Sequence, residues 1–457
     1  NVTLTSDQVC ISGVNFTDGE YFSLALPQAP TGPGGVASQV WLKADNGLSV
    51  DGSNNATTWK DNSGNSRDAD VVTSDPQKLD NFINFNPAID FDGNDQFQFS
   101  SSPFVSSYTA AEAVVVTKDD AWTSCQCGPP YNFGGSAESL YSWNNSNIYD
   151  NNFTNDRLGF NPLIGSIIDG KSGLAITGDP VDVRDWNIYG TYSATNEWGL
   201  QFNGEFKAMT TTNTTSFALT AANEQIGVGR NRGFNGDIAE VILFDKVLTT
   251  TERNQVNSYL GIKYGMTLKH DYVSSAGTTI KTLGSGYDND ITGIGQDDDS
   301  GLFQTQSKSI NENSVVTISN PSALSDGDFV IFGDDGASTI NRSMNVPAAY
   351  EERIERVWQA DVLGTPGTVE LCFERNALPG LNPDPSKIAV LTSTSTDFSA
   401  ASDFSSVTIT DDQVCVSGVM LNDNDYFTLA LPLKPNPAGC SSEAAVVWYK
   451  TDAGLSE

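Results

Sequence analysis

Carboxylates crowded into short runs are the first residues in this sequence that could do chemistry. Asp288-Asn-Asp290, Asp297-Asp298-Asp299, Asp326-Gly-Asp328 and Asp334-Asp335 lie in one half of the chain, with Asp61 and Asp68, and Asp92 and Asp95, in the other. Like charges this close repel unless something screens them, and hard oxygen ligands suit Ca2+. Ca2+ is therefore the candidate cofactor, with Asp288, Asp290, Asp297, Asp298, Asp299, Asp326 and Asp328 as candidate ligands. None of the runs follows an EF-hand loop, and Asp or Asn capping of turns is the competing role.

A second constellation is aromatic. Trp122, Tyr131, Trp143 and Tyr149 are spread among Asn, Ser and Gly between Trp122 and Phe160. Flat aromatic faces stack on sugar rings and amide side chains bond hydroxyls, so these four are candidate glycan contacts. The alternative is that they fold a long loop back onto its own sheet.

The sequence presents no catalytic constellation. The only histidine, His270 in Leu268-Lys-His-Asp-Tyr272, has no nucleophile elbow around it and reads as a linker residue. A glycanase needs two carboxylates on one strand face. Asp237 and Glu240 are three residues apart, which on a regular strand places them on opposite faces. No phosphate-binding glycine pattern sits on a strand–helix unit. The expectation is a protein that is not an enzyme.

The elements that would position these groups are strands. Gln39–Lys43, Ala56–Asp61, Ala88–Phe91, Ala113–Thr117, Asp185–Tyr189, Gly199–Phe202 and Gly236–Phe244 alternate apolar and polar residues between Gly and Asn turns, as in a two-sheet sandwich. Asn203-Gly204 is a hairpin signal. One helix closes the series: Thr249-x-x-Glu252 is a capping box, and Val256, Tyr259 and Leu260 recur at helical spacing until Gly265. Beyond Tyr287, six or seven short strands fit a smaller Ig-like sandwich of about 150 residues.

Of six cysteines, Cys372 and Cys415 lie mid-strand in this second part and are paired as a candidate disulfide. Cys10 would pair upstream of the chain. Cys125 and Cys127 are either locally bridged or free, and Cys440 has no identifiable partner. Disulfides fit an oxidising exterior.

Composition narrows the class. Lys and Arg number 24 against 57 Asp and Glu, a formal net charge of −33. That field repels phosphate, which argues against nucleic-acid and anionic-membrane partners. No run approaches the roughly 20 apolar residues of a membrane span.

The chain also repeats itself. Thr3–Pro27 and Thr408–Pro432 align without a gap, with 16 of 25 positions identical and Cys10 opposite Cys415, an offset of 405 residues. VWLKADNGLS from Val40 then faces VWYKTDAGLS from Val447, at an offset of 407. This predicts a tandem repeat of about 405 residues. Residues 1–29 read as the closing strands of a preceding sandwich, 36–268 as a first full domain, 280–435 as a second, and 440–457 as the opening of the next unit.

The phrases WLKADNGLS (Trp41–Ser49), WKDNSGN (Trp59–Asn65), AIDFDG (Ala88–Gly93), GDIAEVILFD (Gly236–Asp245) and the helix TTTERNQVNSYLGIKYG resemble concanavalin A-like (laminin-G-like) jelly rolls of large exported Bacteroidota proteins. GIGQDDDSGL, a GDD strand and an R-x-W strand resemble the uncharacterised Ig-like β-domain that follows such jelly rolls. The resemblance implies an all-β chain at a cell surface and fixes no ligand. The expected function is a non-catalytic repeat segment of a giant secreted adhesin or appendage. It would give reach and adhesion, with neighbouring repeats, further copies of itself, or a glycan or protein on another cell as partners. A carbohydrate-binding module of a polysaccharide-capturing protein is the alternative, and a glycanase ranks third.

Overall fold

The computed structural model describes residues 29–99, 109–120, 181–210 and 225–431, with short interruptions at 183, 195–196, 230–231, 341 and 379–387. It also describes a few isolated earlier positions and the backbones of short strands between 2 and 11 and between 131 and 169. The chain is all-β: two antiparallel sandwiches joined by one helix.

The first sandwich packs an eight-stranded sheet on a ten-stranded one. The central strands of the eight-stranded sheet are Ala110–Asp119 and Asn235–Phe244, antiparallel along most of their length. Alternate residues of both, Ala113 and Val115 with Val241 and Leu243, join Trp59, Phe91 and Phe97 in the core between the sheets. The intervening residues Val114, Val116 and Ile242 are also buried, because the outer face of this sheet is covered by the helix. A strand covered on both sides reads as an unbroken apolar run, which is what Ala113-Val-Val-Val116 shows.

The helix α1, Thr250–Tyr264, begins on the capping box expected of Thr249 and Glu252 and ends at Gly265, whose φ of 64° is the left-handed conformation glycine tolerates. Nearly every residue from Val256 to Tyr264 is buried. The reason lies in the contacts: one side of α1 packs on the first sandwich, the other on the second. A single apolar cluster runs from Trp41, Val116 and Ile242 through Val256 and Leu260 to Ile291, Leu302, Phe329 and Ile331. The helix thus joins two cores that sequence periodicity separates at a linker.

The second sandwich has a nine-stranded and a five-stranded sheet. This is more than the six or seven strands expected, because several edge strands are only two or three residues long and carry too little pattern to be read. Its core holds Trp358, stacked on Phe427 at 5.5 Å, with Phe332 and Phe373 around them. Cys372 and Cys415 face each other across adjacent strands, Val369–Glu374 and Gln413–Val419, and form the expected disulfide.

The hairpin at the start of the chain pairs Val2 with Ile11, Thr3 with Cys10 and Leu4 with Val9. The hairpin 405 residues on pairs Val407 with Val416, Thr408 with Cys415 and Ile409 with Val414. Sequence repeat and strand register coincide. Among the described residues the first hairpin forms a sheet of its own, while the second is the edge of the five-stranded sheet. The expected opening strand of a further unit, 440–457, lies outside the described residues, as do the side chains of Cys10, Cys125, Cys127 and Cys440.

Candidate binding site

Two buried charge centres fix α1 on the sheet. Glu112, fully buried on the central strand, accepts two bonds of 2.7 Å from the Arg253 guanidinium and a third from the Leu248 N–H. Burial pushes its carboxyl up, and Arg253 opposes that push. Glu240 accepts from Trp41 Nε1, the hydroxyls of Tyr259 and Tyr264, and Lys263 Nζ. Lys263 also reaches Asp45 at 2.8 Å. Burial works against the Lys263 ammonium, but Asp45 and Glu240 outweigh it and hold its pKa above the usual lysine value. Glu112, Arg253, Glu240 and Lys263 each have a charged partner, as a dry interior requires.

Glu240 also corrects an expectation. Ile238 pairs with Thr117 but Glu240 with Val116, so a β-bulge at Ala239 inserts one residue. Asp237 ion-pairs with Lys118 on the face that α1 covers, and Glu240 meets α1 on the same face. The two carboxylates do not lie on opposite faces as regular alternation predicts. The bulge does not produce an accessible pair, because Glu240 is sealed beneath the helix.

At the far end of that face Asp90, Asp120 and Asp237 bring carboxylate oxygens within 4.8 Å of one another. Lys118 Nζ lies among them, 2.9 Å from Asp120 and 3.4 Å from Asp237. Burial, and then Asp120, push Asp237 up to about 7. These residues come from three distant segments and meet only through strand pairing, Asp237 opposite both Asp90 and Lys118. Sequence spacing held no signal for them.

Lys118 also lines an open cleft of about 550 Å3 between the sandwiches. One wall is the segment leading into the strand Asn187–Ala194, with Asp182, Arg184, Asp185 and Trp186; the others are the Asn203-Gly204 hairpin and the loop bearing Glu312. Asn187 and Asn203 lock the base: the Asn203 amide donates to Asn187 Oδ1 while its Oδ1 accepts from the Ile188 N–H. Trp186 is half-buried and meets Phe82 edge-to-face at 6.2 Å. Arg184 grips Asp182 through two nitrogens, and Lys207 pairs with Glu205. Burial, then the charges of Asp182 and Glu312, push Asp185 up.

The acidic runs that offer candidate Ca2+ ligands meet backbone and side-chain donors. Asp297 accepts from Ser275 N and Oγ, and Asp328 from Ser325 N and Thr365 N. Asp326 accepts from Asp298 N, Asp288 from Gly284 N and Asp298 from Gln296 Nε2. The Asp299 carboxylate faces Thr31 Oγ1, and Asp290 lies between Asn311 and Arg356. Asp334 and Asp335 cap Gly336 and Ala337. Asp61 takes the N–H groups of Trp41, Ser63 and Arg67, while Asp68 caps Asp61 and Asp95 caps Asp92. Among the described residues no three of these carboxylates converge. Several of them accept from backbone N–H groups two or three residues away, as turn-capping carboxylates do.

Of the aromatic candidates, Trp122 lies outside the described residues, and Tyr131, Trp143 and Tyr149 fall on strands of the ten-stranded sheet whose side chains are likewise outside them. His270 lies on the connection between α1 and the next strand, half-buried: its Nδ1 meets the Asp271 carbonyl at 2.8 Å, and a Cβ on Gly204 would sit 2.4 Å from its ring. Burial lowers its pKa.

Residues 252–425 match the model of a family described as a domain of unknown function, DUF8202; the match begins in the first turn of α1 and covers less than half the chain. No curated protein matches. Similar solved structures include domain 4 of AbnA, an extracellular GH43 arabinanase of Geobacillus stearothermophilus, in complex with arabinotriose. It has 15% identity over 48% of this chain and 98% of that one, with a TM-score of 0.30. Trypanosoma rangeli sialidase has 13% identity over 49% of this chain and 32% of its own, at 0.30. The binding domain of botulinum neurotoxin serotype D has 12% identity over 87% and 92%, at 0.38. This chain therefore spans about a third of the sialidase. The likeness is one of β-sandwich architecture alone. No described helix is long and apolar enough to cross a membrane.

Proposed function

We propose that this chain is a non-catalytic segment of a large extracellular repeat protein, one that supplies reach and adhesion at a cell surface. The observation that carries the reading is mechanical. One helix, buried on both sides, fuses two sandwiches through a continuous apolar cluster, and the hairpin that edges the second sandwich recurs 405 residues away in the same register. Stiff units repeated in tandem make an extended object. The disulfide fits an oxidising exterior. The buried carboxylates Glu112 and Glu240 are consumed in holding α1, which favours a structural over a catalytic role for them. On this reading the interdomain cleft is the adhesive contact.

Small-angle scattering on one unit and on two consecutive units tests the proposal. The maximum dimension is expected to rise nearly in proportion to unit number. A pair of units no longer than one would overturn it.

A further inference from the structure

We infer that the cleft between the sandwiches is a binding site for a short, uncharged saccharide, with Trp186 as the stacking surface and the Arg184–Asp182 pair as the hydroxyl-binding group. The inference rests on the adhesive reading above and names the ligand class of its contact.

Four features converge on that chemistry. The cleft, at about 550 Å3, falls in the range that encloses small ligands. Trp186 lines the cleft half-buried, packed against the interdomain apolar cluster and held edge-to-face by Phe82, so its ring is positioned before any ligand arrives. A flat apolar face of this kind matches the axial C–H groups of a pyranose.

The polar lining is organised in fixed donor–acceptor pairs. Arg184 with Asp182 and Lys207 with Glu205 each place an N–H donor beside a carboxylate acceptor. Vicinal hydroxyls each donate and accept, so a paired acid and base meets both demands at once. The Asn187–Asn203 lock holds the base of the cleft, and of the two pairs Arg184–Asp182 is the exposed one, Lys207 being buried.

Charge decides which saccharide. The lining contributes four cations, Lys118, Arg184, Lys207 and Lys269, and four carboxylates, Asp182, Asp185, Glu205 and Glu312. The sum is zero in a chain whose net charge is −33. A polyanion would be repelled by the surrounding field and would find no local excess of positive charge to compensate. An uncharged, hydroxyl-rich ligand suits such a site.

The test uses the full chain on an array of neutral and acidic oligosaccharides, followed by calorimetric titration of the hits. Neutral oligosaccharides are expected to bind, with Trp186→Ala and Arg184→Ala each weakening affinity at least tenfold. Arg184 sits in an exposed pair, so its variant keeps the test open if Trp186→Ala unfolds. Trp143→Ala, in the aromatic segment that the sequence offers as a candidate glycan rim, is expected to bind as the parent does. Binding confined to sialylated, uronic or sulfated glycans would overturn the inference, as would no glycan binding. Loss in Trp143→Ala with Arg184→Ala unaffected would place the site elsewhere and overturn it too. Scattering on consecutive units stands or falls independently, so failure of the saccharide and failure of the adhesive scaffold are told apart.

Discussion

If α1 fuses the two sandwiches, breaking the Glu240 centre should weaken both at once. Glu240 is fully buried and accepts from Trp41, Tyr259, Tyr264 and Lys263. Glu240→Ala leaves the Lys263 ammonium with Asp45 alone, and leaves Trp41 Nε1 without an acceptor. Removing one partner of a buried ion pair costs about 3–5 kcal/mol, mostly the penalty of the charge left behind. In a cooperative unit this large, each kcal/mol moves the midpoint by about 2 °C, so a fall in Tm of roughly 6–10 °C is expected. Differential scanning calorimetry of the parent should give one transition for residues 36–431, because the apolar cluster crosses from one sandwich to the other. In Glu240→Ala, the single transition should move down as a whole. A parent that already melts in two separate steps, or a variant within about 1 kcal/mol of the parent, would refute the fused-core argument.

Three further outcomes follow from the geometry. Replacing Cys372 and Cys415 by Ser removes a bridge that closes 43 residues, and chain entropy predicts a loss of about 3–4 kcal/mol, read from urea midpoints. Asp237 holds its proton up to about pH 7 in the folded chain but releases it near its ordinary value when unfolded. The folded state therefore binds the extra proton between those limits, and this contribution to stability falls as pH rises through the window and is level above it. Asp237→Asn should lose that slope, gaining on the parent in urea midpoint at pH 8 relative to pH 5; equal gains at both would contradict the assignment. Finally, since backbone N–H groups engage many of the acidic runs, EDTA is expected to shift Tm by less than about 2 °C. A larger drop would mean that these carboxylates hold an ion.

The sequence alone determined much of the architecture. Strand alternation, the Asn203-Gly204 turn, the capping box at Thr249 and the pairing of Cys372 with Cys415 are local signals, set by a few adjacent residues and the backbone geometry they favour. The repeat was legible for the same reason: Thr3–Pro27 and Thr408–Pro432 are compared letter by letter. Tertiary structure decided what depends on distant residues meeting. The Asp90–Asp120–Asp237 group and the cleft around Trp186 are assembled from segments far apart in the chain, and no spacing rule records that. The bulge at Ala239 turned Glu240 toward α1, against the two-residue period of a strand, because one inserted residue reverses the alternation. Which donors the acidic runs would meet was likewise decided by packing: some accept from nearby backbone N–H groups, while Asp290 meets Asn311 and Arg356 from distant segments. Local chemistry wrote the elements, and only packing decided which of their side chains would face each other.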